Sequence, residues 1–406
     1  MEALDRILRE HVAQGDDTKD KLFGAAFVVV DKDGIVYQGA FGRTAEALDA
    51  PKFRIDSFTW LASLTKIVTA TAVMQLVERG QVNLDDDVRP LVPELARMQV
   101  LKGFDQDEKP ILVNNPNPIT LRQLLTHTVG LGYDLADPDL TKWSRAIGRT
   151  VTNLEFRLEG WNTPLKFPSG EGWFYGSAFD WAAQVLEKVT GQGLEQYMKE
   201  HVFDPLGMHD TTFHSRALAD SVKNRTVLCS YRDEQTGKLS NGPPPVPVEP
   251  PIESGGAGLW STAVDHAKVL SGLLRAAPAV HGAGSVLSKE TVDEMLRPQL
   301  NDVQRQMLVS ITDAHRLSLA SAFPPGTPLD HGISGLINTA DVPGKRRKGS
   351  MTWLGMASAH WWIDRESGIA ATLLLSVQPH PDLVVNRLYD ELERSVYADL
   401  LPSLAK

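Results

Sequence analysis

The chain has one cysteine, Cys229, in 406 residues, so no intrachain disulfide can form and nothing points to an oxidising compartment. Cys229 reads as a small buried apolar residue, because Val227-Leu228-Cys229-Ser230-Tyr231 offers no partnering base. Positive charge is also outweighed, with 41 Lys and Arg against 51 Asp and Glu. The formal net charge of -10 argues against a nucleic-acid partner, since such proteins gather cations onto one face. The local exception, Lys345-Arg346-Arg347-Lys348, is expected to be a solvated loop.

Long apolar runs are missing as well. Phe23 to Val30 and Ile369 to Val377 fall well short of the roughly 20 residues of a membrane span, so no membrane association is expected. The start, Met1-Glu2-Ala3-Leu4-Asp5-Arg6, is acidic and lacks the apolar core of a secretory signal. A cytoplasmic location is the resulting expectation.

What is present is ordinary globular material, with 42% hydrophobic residues, enough for a large core and more than one lobe. Residues 2–14 have helical spacing. Ala25–Val30 and Ile35–Ala40 flank Asp31-Lys32-Asp33-Gly34, whose Asp-Gly pair predicts a hairpin. Leu64 to Arg79 is helical, with Ile67, Ala70, Met74 and Val77 on one stripe and Gly80 as a stop. Helical pieces dominate the middle, at Leu121 to Leu125, Asp180 to Thr190 and Leu194 to Val202. Strand chemistry returns in Ser350 to Ile363 and Gly368 to Val377, before a terminal helix from Leu383 to Leu400.

This order predicts an α+β fold: a mostly antiparallel sheet flanked by helices, built from both chain ends, with an inserted mainly helical lobe. The lobes are assigned to residues 1–84 with 301–406, and to 85–300. Asp85-Asp86-Asp87 lacks the alternating ligand spacing of a calcium loop, so it is assigned to turn chemistry and no metal. The Gly-Pro-rich stretch Asn241 to Pro251 is either a lid or pocket rim, or a passive surface loop.

Ser63-Leu64-Thr65-Lys66 sits at the start of the predicted helix, placing Ser63 and Lys66 one turn apart on one face. A serine hydroxyl is a weak nucleophile at neutral pH, and a neighbouring amine can take its proton. The helix start also favours developing negative charge. Alone, the tetrad is weak, and reads first as an N-cap serine with an exposed lysine.

The surroundings change that reading. Leu61-Ala62-Ser63-Leu64-Thr65-Lys66, Glu78 to Asp85, Ile119 to Leu131, Pro168 to Ser177 and Gly255 to Thr262 follow one another as in the serine β-lactamase-like superfamily. The chain resembles its class C-like esterase and fungal transesterase group over nearly its whole length. The resemblance implies a serine β-lactamase-like fold and an acyl-enzyme mechanism without a cofactor. Ser63 would be the nucleophile, with Lys66 and Tyr175 as its proton-handling partners. Trp353-Leu354-Gly355 would be the third motif, lining the substrate site with Ser177, which stands where many relatives have asparagine. The backbone amides of Ser63 and Met356 would form the oxyanion hole.

The implied substrates are a small-molecule ester or thioester donor and a water or alcohol acceptor, the alcohol being a natural product. Hydrolysis and transesterification share every residue named. The third motif has no lysine to hold a β-lactam carboxylate, which disfavours a β-lactamase or penicillin-recognising peptidase. Retention of all three residue types disfavours a noncatalytic binding protein. His127, in Leu-Leu-Thr-His-Thr, reads as structural rather than as the base of a Ser-His-Asp triad.

Overall fold

The computed structural model describes residues 1–276 and 286–404. Its main sheet begins at the expected hairpin, Gly24–Val30 (β1) and Ile35–Gly42 (β2). The Asp31 carboxylate ties the turn by accepting from the amides of Asp33 and Gly34. Five strands come from the other chain end: Leu329–His331 (β3), Leu336–Asn338 (β4), Met351–Leu354 (β5), His360–Asp364 (β6) and Ile369–Leu374 (β7). The order is β2-β1-β7-β6-β5-β4-β3, antiparallel at every pairing.

Every residue of β1, β6 and β7 is buried. Alternate side chains point to opposite faces, so both faces of the sheet centre are covered. The principal helices are Glu2–His11 (α1), Thr65–Glu78 (α2), Ala178–Thr190 (α3), Ala263–Leu274 (α4) and Leu383–Ser395 (α5). Helix α4 packs on β1 and β7, although it falls within the 85–300 segment, and α1 packs on β2 and α5.

Several local expectations shift. Helix α1 stops at His11 because Val12 turns extended and bridges to Leu22. In α2 the expected stripe widens to the whole circumference: every residue from Thr65 to Leu76 is buried, as in a central core helix. The middle segment contains hairpins as well as helices, at Gln99–Phe104 with Pro110–Asn114 and at Cys229–Arg232 with Leu239–Gly242. Asn241 and Gly242 therefore end a strand. Asp85 and Asp87 are held by Arg122 and Arg89.

The basic run corrects a larger misreading. Lys345 and Arg346 are buried, and only Arg347 and Lys348 are exposed. Arg346 Nε donates to Glu393 Oε1 at 2.7 Å, Lys345 Nζ lies 3.0 Å from Glu393 Oε2, and Arg346 donates to Tyr389 Oη at 2.9 Å. The guanidinium also sits over the rings of Phe323 and Trp362. A buried carboxylate from α5 thus supplies the counter-charge that four consecutive cations hide from view in the sequence.

Candidate active site

The nucleophile turn is built by its neighbours. Thr59–Trp60 pairs antiparallel with Trp260–Ser261. Leu61 N donates to Leu259 O at 2.9 Å, and Leu259 N donates to Thr65 Oγ1 at 3.2 Å. Between these ties Ala62 adopts φ +48, a left-handed value rare outside glycine, and a 310 turn from Ala62 to Leu64 runs into α2. Ser63 makes no capping bond. Its Oγ faces Lys66 Nζ at 3.0 Å and Tyr175 Oη at 2.7 Å.

Lys66 is buried and distributes three hydrogen bonds, to Ser63 Oγ, to Tyr133 Oη at 3.2 Å and to Gly256 O at 2.8 Å. These satisfy all the donors of an ammonium. Tyr175 Oη also accepts from Trp353 Nε1 at 3.2 Å, so its oxygen stands between an N–H donor and the serine. Burial, together with neighbouring Tyr175 and the Asp180 carboxylate, raises Tyr133 well above the ordinary phenol range, keeping it protonated. Asp180, buried at the start of α3, accepts from Ser254 Oγ at 2.5 Å and Gly256 N at 3.1 Å. Burial raises its pKa in spite of those bonds and of Lys66. It thereby fixes the strap whose Gly256 carbonyl holds Lys66.

Strand β5 closes the other side. A Cβ added to Gly355 would meet Leu61 O at 2.9 Å, Leu64 Cδ1 at 3.0 Å and Ala62 Cβ at 3.3 Å. Only a glycine lets the strand end come this close to the nucleophile turn. The carbonyl of Met356 is held by Gln378, whose Nε2 donates to it at 2.7 Å. A cavity of about 400 Å³ opens on Ser63, with Leu354 and Met356 in its wall. Trp353 is buried behind it and contacts Tyr175; Ser177 is fully buried outside the wall, its Oγ without a hydrogen-bond partner.

Known proteins resemble this chain over most of its length. A family model described as Beta-lactamase matches residues 4–394. The chain belongs to the β-lactamase family. Among its relatives in the family, the lovastatin esterase of Penicillium rubens is 34% identical over 86% of this chain and 87% of its own. Monacolin J acid methylbutanoyltransferase of Aspergillus terreus is 32% identical over 92% and 91%. A solved mutant of simvastatin synthase from Aspergillus terreus superposes with a TM-score of 0.85 at 30% identity, covering 99% of this chain and 94% of that one. The serine β-lactamase-like fold expected from the motifs is therefore the fold of the family.

Around Ser63 and Lys66 the structure also gathers Tyr133, Asp180 and Gly256, whose part in the site no motif in the sequence indicates. The available signal was close backbone crossing at glycines. A Cβ on Gly176 would lie 2.4 Å from Leu131 O and 2.5 Å from Gly132 Cα, and one on Gly256 would lie 2.8 Å from Asp180 Oδ2. These crossings bring Tyr133 and Tyr175 to 5.4 Å between ring centroids.

His127 makes no hydrogen bond to Ser63; its ring lies edge-on to Tyr175 at 4.7 Å. Burial first, then neighbouring His331 and Lys66, push its pKa well below the usual imidazole value, so it is a neutral packing element. The 243–251 loop does not line the cavity. Among the described residues one group, Glu195, His214 and Glu253, brings potential metal-ligand atoms within 4.8 Å of one another. There His214 hydrogen-bonds Glu253 at 3.2 Å and Glu249 at 3.4 Å, away from Ser63. No helix among the described residues is long and apolar enough to cross a membrane.

Proposed function

We propose that the chain is a serine enzyme that transfers acyl groups from small-molecule esters to water or to an alcohol. The observation that carries this reading is Ser63 Oγ, at the foot of an apolar cavity, 3.0 Å from Lys66 Nζ and 2.7 Å from Tyr175 Oη. With Tyr175 ionised to the phenolate, Ser63 Oγ attacks the ester carbonyl carbon as its proton passes to Tyr175 Oη, leaving tyrosine neutral. Lys66 stabilises the charge on both oxygens, and Trp353 Nε1–H supports Tyr175. The amides of Ser63 and Met356 hold the tetrahedral oxyanion.

Collapse breaks the bond to the leaving alkoxide, which recovers the proton from Tyr175 and departs as alcohol. Water or an acceptor alcohol then attacks the acyl-enzyme, gives its proton to the same oxygen, and Ser63 leaves with that proton. Natural-product esters are the substrate class that the named esterase and acyltransferase relatives suggest. A β-lactam carboxylate would find no cation where Trp353 stands.

The test is turnover of p-nitrophenyl butyrate, with product analysis in the presence and absence of candidate alcohols. Wild-type protein should release p-nitrophenol and form butyrate or the new ester, and Ser63→Ala should do neither. Retained turnover in a folded Ser63→Ala protein would remove Ser63 from the mechanism.

A further inference from the structure

We infer that this cavity selects uncharged, apolar acyl esters and excludes donors whose acyl chain carries a carboxylate. The inference rests on the serine-ester reading above and concerns what the same site accepts.

Among the described residues no lysine or arginine lines the cavity wall. Lys66, which reaches Ser63 from behind the wall, spends its three donors on Ser63, Tyr133 and Gly256. The charges that do line the cavity are negative. Asp134 and Asp180 are both buried there. Asp134 has its own cation, Arg149, whose remaining donors go to Ser144 Oγ and to the carbonyls of Glu159 and Gly160. That guanidinium has nothing left for a ligand.

The neutral polar side chains of the wall are engaged in the same way. Asn153 accepts from Asp134 N and donates to Gly160 O. Gln378 donates to Met356 O, and Ser254 to Asp180. His380 Nε2 lies 2.9 Å from Ser318 O, so it carries the proton, and Nδ1 faces Ser358 Oγ at 3.4 Å. The surface left for an acyl chain is Trp60, Leu154, Phe156, Leu319, Leu354 and Met356.

A carboxylate entering this cavity gives up its hydration, finds no cation with a donor to spare, and meets Asp180 as well as an Asp134 already paired with Arg149. The formal net charge of -10 adds long-range repulsion during approach. An alkyl chain meets none of these costs and gains from the apolar wall.

Three p-nitrophenyl esters with one chain length separate charge from size: the heptanoate, the hydrogen pimelate, and the methyl pimelate, in which the terminal acid is masked. Rates are corrected with Ser63→Ala protein as background. Expected is kcat/KM at least roughly 100-fold lower for the hydrogen pimelate than for the heptanoate, with the methyl pimelate staying near the heptanoate. Leu154→Arg, which puts a cation on the wall, should narrow the gap at least tenfold. Hydrogen pimelate turned over within threefold of the heptanoate would overturn the selectivity and leave the serine-ester reading intact. Equal losses for both pimelates would also overturn it, by making size the cause. Failure of Ser63 to be acylated by any of the three would instead bring down the ester reading itself, and the inference with it.

Discussion

Replacing Gly355 with alanine perturbs the site through a single methyl group. The new Cβ would stand 2.9 Å from Leu61 O, a backbone atom already accepting from Leu64 N, and 3.0 Å from Leu64 Cδ1. Ordinary contact requires about 3.5 Å, so the end of β5 must retreat by roughly 0.5 Å. The Met356 amide follows directly after Gly355 and moves with it. Oxyanion donors work over a window of about 2.7 to 3.1 Å, and losing one costs about 100- to 1000-fold. Gly355→Ala should therefore lower kcat/KM for p-nitrophenyl butyrate by roughly 100-fold, at an overpacking cost of about 1 to 3 kcal/mol. Stopped-flow acylation rates with urea unfolding separate the two effects: acylation should slow while the protein stays folded. An acylation rate within threefold of wild type in a folded variant would show that this strand end does not set the oxyanion geometry.

Trp353→Phe removes the N–H that Tyr175 Oη accepts at 3.2 Å. A bond to the charged oxygen of the ionised tyrosine is worth about 1.5 to 3 kcal/mol, so its loss depletes the reactive form and steady-state kcat/KM should fall roughly 10- to 100-fold. A loss below threefold would make Trp353 a packing residue alone. Glu393→Ala strips the buried Arg346 of its carboxylate and leaves Lys345 only Asp390, and should cost about 3 to 5 kcal/mol in urea unfolding. A cost below about 1 kcal/mol would contradict the buried network. Burial pushes His266 and His331 down to about 4, below the unfolded value near 6.5. The unfolded chain then binds more protons between these values, so stability is full above about pH 6.5 and is lost as pH falls toward 4. Each histidine should contribute on the order of 2 kcal/mol to the difference between about pH 7 and 5. His266→Gln should flatten the profile, and an unchanged slope would refute its share.

Helical spacing made Ser63 and Lys66 legible as neighbours one turn apart, but their chemistry, and Tyr175 altogether, became legible only through the family resemblance of the surrounding segments. The hairpin at Asp31 and the apolar runs of β1 and β7 were legible from the residues themselves, since local periodicity decides them. Tyr133 and Asp180 were not, because their roles depend on where an irregular segment and a helix start cross other chains of backbone. Ser177 was placed at the substrate by position in a motif, yet its side chain turns into the core. Lys345 and Arg346 show the limit most clearly. Four adjacent cations look solvated until Glu393, on a helix far along the chain, supplies the buried counter-charge.

The central claim is that Ser63 carries the acyl group. Intact-mass and peptide mass spectrometry of protein quenched in acid within milliseconds of mixing with p-nitrophenyl butyrate tests it directly. The account predicts a single butyryl adduct on the peptide containing Ser63, absent from Ser63→Ala and slow to form in Tyr175→Phe. A butyryl adduct on another residue, or p-nitrophenol release by Ser63→Ala at the wild-type rate, would contradict it.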